Sequence, residues 1–189
     1  MHKHPPEPWH AFFSELDSAV NEPVRLDCMG GFVITQLYGL DRTTADVDVF
    51  SLGPRTPGEV VSKLGARGGP LHNKYKIYLD RNSFVANVPE NYEERLIEMF
   101  PGCYGHLLIL GFERYDLALS KLERNDQKDR DDVRFLARAA DFDIKELERR
   151  YLSELRPVLP VPKREDLTLQ LWIEMIQEDK NEIQSSNTP

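Results

Sequence analysis

Asp46 and Asp48, separated by a single valine, have the strongest claim to chemistry in this chain. Residues two apart on a strand project from the same face, so the two carboxylates would stand side by side. Such a face is costly unless a cation sits between them, and the usual hard cation for oxygen ligands is Mg²⁺. Upstream, Gly30 and Gly31 form a turn where no Cβ keeps a bulky anion from the backbone. Arg42 and Thr44 come just before the aspartates, and an arginine there can hold a phosphate or a carboxylate by a bidentate contact. Approachable backbone beside paired carboxylates suits phosphoryl or nucleotidyl transfer. The plainer readings are a solvated acidic strand face for the aspartates and an ordinary surface charge for Arg42.

The elements that must position these residues can be read from periodicity. Residues 9–20 repeat apolar side chains at helical spacing, from Trp9 through Phe12, Phe13 and Leu16 to Val20. Residues 24–29 form a short apolar strand entering the glycine pair. Residues 32–40 read as a helix stopped by Gly39. Residues 45–50 alternate aspartate with valine, a strand with one acidic and one apolar face. Further on, a helix is expected over 56–64, a loop over 67–70, strands over 75–80 and 83–88, a helix over 91–100 and a strand over 107–112. From residue 114 the pattern turns helical: 114–124, 128–140 and 144–155. Three prolines in 156–162 argue for an extended linker. A last amphipathic helix is expected over 166–183. Strands mixed with helices first, and helices last, predict an α/β or α+β fold: a mixed sheet flanked by helices with a C-terminal helical portion.

Composition narrows the class. A chain of 189 residues, 40% hydrophobic, can build one compact core with a helical appendage. A formal net charge of −8 argues against nucleic-acid binding over the whole surface and leaves room for a local basic face. The N-terminus has no apolar core of the signal-peptide kind, and no apolar run approaches membrane-spanning length. Cys28 and Cys103 form no close pair, and Cys28 reads as a small buried hydrophobe. The expectation is a soluble, reduced, cytoplasmic protein with no membrane partner. His2 and His4 read as part of a flexible terminus, and His72 and His106 as structural. The arginines and lysines beyond residue 113 alternate with acids, so they read as solvated helix faces.

Together, Gly30-Gly31 and Arg42-Thr43-Thr44-Ala45-Asp46-Val47-Asp48 resemble the first motif of the nucleotidyltransferase superfamily, where a glycine turn opens a helix and an Asp-x-Asp follows on the next strand. The closer resemblance is to the abortive-infection (AbiEii-type) toxin branch, with Val33-Ile34 in place of that branch's Ala-Leu. A second block, Ser120-Lys121-Leu122 followed by Lys128-Asp129-Arg130-Asp131-Asp132, resembles a helix bearing Lys-Leu, a basic loop, and an aspartate opening the next helix. The segment Pro89-Glu90-Asn91-Tyr92, with Arg95 after it, resembles a further stretch of that branch and carries no role of its own. The likeness spans about residues 25–155.

The resemblance implies Mg²⁺ or Mn²⁺ held by Asp46 and Asp48, with Asp80 as the third carboxylate. It implies a nucleoside triphosphate cradled by Gly30 and Gly31 and contacted by Arg42, Thr44 and Lys121, and an Asp132 that orders the site. The plainer readings are a turn former for Asp80, a solvated helix lysine for Lys121, and helix capping for Asp129, Asp131 and Asp132. The implied activity moves a nucleoside monophosphate to an acceptor hydroxyl on an RNA end such as tRNA, a protein or a small molecule. A toxin role with an antitoxin partner is also admitted. The alternatives are a catalytically silent nucleotide- or partner-binding module of the same fold, and a structural α/β protein whose aspartates are surface charges. The domain reading is a flexible 1–8, an α/β core over 9–113, a helical portion completing the site over 114–155, a linker over 156–164, a helix over 165–183 and a tail over 184–189.

Overall fold

The computed structural model describes residues 4–81, 87–139 and 142–186. The chain divides into two compact units, one of Met1–Val85 with Arg95–Glu113, the other of Ala86–Glu94 with Arg114–Pro189. The fold is mixed α/β, as expected.

The first unit is a five-stranded mixed sheet with helices α1 (Trp9–Ser18), α2 (Gly30–Tyr38), α3 (Arg55–Gly65) and α4 (Pro70–Tyr75). Its strands are β1 (Val24–Met29), β2 (Asp46–Gly53), β3 (Tyr78–Asp80), β4 (Ile97–Met99) and β5 (Leu107–Gly111), in the order β3-β2-β1-β5-β4. β1 runs antiparallel to β2 and parallel to β5, and β2 runs parallel to β3. Leu26, Cys28, Val47, Val49, Leu79 and Ile109 are buried in this sheet. Aromatic residues pack beside it: the Trp9 and Phe32 rings lie 4.8 Å apart and those of Phe13 and Phe32 5.7 Å apart. Gly39 ends α2 in the left-handed region at φ +78°, the cap that a glycine supplies without strain.

Asp17, near the end of α1, ties that helix to the start of β5. Its carboxylate accepts the backbone N–H groups of Gly105, His106 and Leu107 at 3.0, 2.7 and 2.8 Å. Burial would raise this carboxyl, but the three N–H donors outweigh it and hold it below its ordinary value. Asp17→Ala strands those donors, and we expect a cost of about 1–3 kcal/mol. Differential scanning calorimetry checks this as a fall in thermal midpoint of several degrees.

Several elements differ from the sequence expectation. The strand expected over 75–80 is shorter, because Pro70 opens α4 and Lys76 turns left-handed at φ +63° after Tyr75. The helix expected over 91–100 does not form. Asn91 is left-handed at φ +62°, Tyr92–Arg95 make one 3₁₀ turn, and Ile97–Met99 pair antiparallel with β5 as an edge strand. The strand expected over 83–88 lies largely outside the described residues.

The second unit is helical: α5 (Arg114–Leu119), α6 (Gln127–Ala139), α7 (Ile144–Arg150) and α8 (Lys163–Ser186). α7 continues as a π-helical turn over Tyr151–Leu155, a wider coil than the α-helix expected there. The segment read as extended begins with a 3₁₀ turn, Arg156–Val158, in which Pro157 sits at the start, where its missing N–H costs nothing. Among the described residues, no helix is long and apolar enough to cross a membrane.

Candidate active site

β1 delivers the chain to α2 through Met29, which is extended, and Gly30, which is left-handed at φ +71°. A Cβ on Gly30 would stand 1.9 Å from Asp48 Oδ2. The Asp48 carboxylate therefore occupies space that any other residue at position 30 would fill. A Cβ on Gly31 would stand 3.0 Å from an Arg42 terminal nitrogen and 3.6 Å from Thr44 Oγ1. Both residues thus reach the N-terminus of α2 from the loop before β2. The Thr44 hydroxyl donates to Asp46 Oδ1 at 2.6 Å and holds that carboxylate in place.

Pairing sets the rest. Met29 lies opposite Asp48 on β1, and the β2 side of the pair carries a bulge at Phe50. On the other flank, Asp46 is in register with Tyr78 and Asp48 with Asp80. Asp46, Asp48, Tyr78 and Asp80 consequently share one face of the sheet, while Val47, Val49 and Leu79 are buried on the opposite one. The structure brings together Gly30, Gly31, Arg42, Thr44, Asp46, Asp48 and Asp80. Residues 11–180 match the family described as "Nucleotidyltransferase of unknown function (DUF6036)". The chain belongs to this family of nucleotidyltransferases. No curated protein and no solved structure matches it.

This face is acidic, and its neighbours respond. Cys28 is fully buried, and its thiol is pushed up by burial and then by the carboxylates of Asp27 and Asp48, which makes it an inert hydrophobe. The Tyr78 hydroxyl is pushed up by burial first and by Asp46 next, with Arg67 opposing. Asp27 was not singled out by the sequence reading. It is buried on β1, where Arg25 grips it through Nε at 2.6 Å and a terminal nitrogen at 3.0 Å.

No group of three or more His, Cys, Asp or Glu side chains among the described residues is arranged to hold a metal. Asp46 and Asp48 offer a two-carboxylate clamp. That suits Mg²⁺, which is commonly held by one or two carboxylates and keeps water and phosphate oxygens for its other positions. The Asp48 carboxylate, seated where a Cβ on residue 30 would stand, fits the same chemistry.

The other two predicted residues lie in the second unit and pair with each other. Lys121 is 6% exposed, and its Nζ stands 2.8 Å from Asp132 Oδ2 and 3.2 Å from Asp129 Oδ1. Lys121 is therefore neither a solvated helix lysine nor an uncompensated charge. Asp129 corrects the sequence reading, which gave it capping alone. It is fully buried, accepts Arg124 Nε at 2.7 Å and an Arg124 terminal nitrogen at 2.6 Å, and exchanges backbone contacts with Asp126. Asp131 stays exposed and accepts Gln127 at 2.9 Å.

Burial pushes the Asp129 carboxyl up, but Arg124 and Lys121 prevail and hold it below its ordinary value. Glu146 is lowered to about 2 by hydrogen bonds from Arg149 and Arg150. The unfolded chain binds these protons more tightly than the folded one. The stability they contribute is complete above a pH of about 5 and is lost as pH falls through the lowered values. Thermal midpoints measured from neutral pH downward should hold until about pH 5 and then drop. A drop that begins nearer neutrality contradicts this account.

Proposed function

We propose that this chain transfers a nucleoside monophosphate from a nucleoside triphosphate to an acceptor hydroxyl. The observation that carries the reading is the seating of the Asp48 carboxylate against Gly30 at the mouth of α2, with Asp46 beside it. Asp46 and Asp48 would hold a hard divalent cation, Mg²⁺ or Mn²⁺, which would supply neutralising charge to the triphosphate and to the attacking oxygen. Asp80, in register with Asp48 on β3, enters as a third carboxylate through the family resemblance alone. The Gly30 and Gly31 backbone and the start of α2 receive the phosphates, as helix N-termini do for anions. The Arg42 guanidinium reaches the same point and suits a bidentate grip on phosphate oxygens. Thr44 keeps Asp46 aimed. The acceptor oxygen bonds to the α-phosphorus, the bond to the bridging β-phosphate oxygen breaks, pyrophosphate leaves with the electron pair, and the hydroxyl proton passes to water.

Lys121 and Asp132 enter this reading through the family resemblance alone, as a phosphate contact and an ordering acid. The same resemblance supports placement in the abortive-infection (AbiEii-type) branch, a toxin role and a neutralising antitoxin. A second reading, a nucleotide-binding module without turnover, draws on the engagement of Lys121 by two buried aspartates.

The test is incubation of the full chain with Mg²⁺, α-labelled nucleoside triphosphates and total RNA or cell lysate. Covalent label in an acceptor supports transfer. A Mg²⁺-dependent thermal shift with nucleotide but no label supports the silent module. Absence of both sinks the two readings together.

A further inference from the structure

Residues 55–81 are the basic exception in an acidic chain. They carry six lysines and arginines against two carboxylates, while the whole chain is at −8. They fold as α3, α4 and β3 along one edge of the sheet, where β3 is the outermost strand. An isolated bridge between Ala66 and Leu79 brings the α3–α4 connection against β3. Arg67, the next residue, lays its guanidinium 5.4 Å over the Tyr78 ring. Arg67 is exposed, and no carboxylate among the described residues pairs with it. The His72 ring meets the Tyr78 ring edge-on at 5.1 Å. Its Nδ1 accepts the Gly68 N–H at 2.9 Å, so the ring proton resides on Nε2.

This cluster borders the aspartates. Tyr78 is in register with Asp46, on the face that Asp46, Asp48 and Asp80 share. Gly30 and Gly31 approach Asp48 from the β1 side of β2, and Tyr78 and Arg67 stand on the β3 side. A triphosphate received at the glycine pair therefore leaves the β3 side for the acceptor. An exposed guanidinium plane over an aromatic ring, on a segment whose lysines and arginines outnumber its carboxylates, is a surface on which unpaired bases stack and phosphates are neutralised.

We propose that the α3–α4–β3 edge is the acceptor subsite and that it takes the end of a single-stranded RNA, stacked on Arg67 and Tyr78, with its terminal hydroxyl directed toward Asp46 and Asp48. The proposal rests on the transferase reading above and narrows its acceptor to one class.

The test is fluorescence anisotropy of the full chain with a short fluorescein-labelled single-stranded RNA, across a salt series and without nucleotide. Wild-type binding should weaken linearly in log–log form as salt rises. Arg67→Glu should weaken it about tenfold or more, in line with loss of a stacked base and a phosphate contact. Lys63→Glu, exposed on α3, should weaken it less. The Mg²⁺-dependent thermal shift with nucleoside triphosphate should be unchanged in both variants. Equal RNA affinity in wild type and Arg67→Glu overturns the proposal. So does nucleotide binding without RNA binding in the wild type, or label appearing in protein rather than RNA. RNA binding lost in Arg67→Glu, but with no nucleotide response in any variant, upholds the RNA surface and overturns the transferase reading instead.

Discussion

Asp48→Ala is expected to lower nucleotidyl transfer by about 10³-fold or more, with Asp46→Ala close behind, while both variants keep their fold. A bound divalent cation supplies several kcal/mol of charge stabilisation at a reacting phosphate, and each 1.36 kcal/mol is a factor of about ten. Asp48 is the residue whose carboxylate lies against Gly30. Asp46 is aimed by Thr44, so its loss also idles that hydroxyl. Both side chains are only half-buried, so their removal leaves no cavity in the apolar layer. Activity is read by label transfer and the fold by circular dichroism. Full activity in both variants removes the metal clamp from the mechanism.

Lys121→Met is expected to destabilise the protein by about 3–5 kcal/mol, the cost of removing one partner from a buried ion pair. Asp129 would keep Arg124, but Asp132, 1% exposed, would lose an ammonium 2.8 Å away. For a chain of this size the thermal midpoint should fall by about 10 °C or more. The decisive comparison is a double-mutant cycle. Adding Asp132→Asn to Lys121→Met should recover part of the loss, because the second change removes the carboxylate that Lys121 balances. Additive losses would mean that the two residues do not depend on each other. The cycle also separates structure from catalysis: a Lys121 variant that loses activity only in proportion to folded protein has a structural lysine.

Much of the first unit was legible because its signals are local. The Asp-Val alternation of β2, the apolar run of β1 and the glycine that ends α2 each depend on neighbours in sequence. The glycine pair and the aspartates were likewise readable as a set, since a turn and a strand face suffice to relate them. What was missed depends on partners far along the chain. β4 is three residues long and exists through β5, so residues 91–100 showed only a helix-like pattern. The residues 75–80 alternate convincingly, but the left-handed Lys76 leaves only Tyr78–Asp80 to pair. A lysine's letter does not reveal whether it is solvated, and the burial of Lys121 comes from helices that place two aspartates around it. Arg67 joins the candidate site through the bridge of Ala66 to Leu79. One clue to it was available: the local excess of positive charge over residues 55–81.

The alternation on β2 has a consequence for how faithfully the chemistry is kept. If β2 slipped by one residue against β1, Val47 and Val49 would turn to the substrate side, and Asp46 and Asp48 would turn into the apolar layer beside Leu79. Two unpaired carboxylates there would each cost several kcal/mol, and each valine brought out of burial would forfeit about 1.5–3 kcal/mol. The strand is therefore locked in phase. The alignment of the reactive carboxylates is guarded by the valines behind them, which touch no substrate. On the transferase reading, residues elsewhere around the site can change without disturbing that phase.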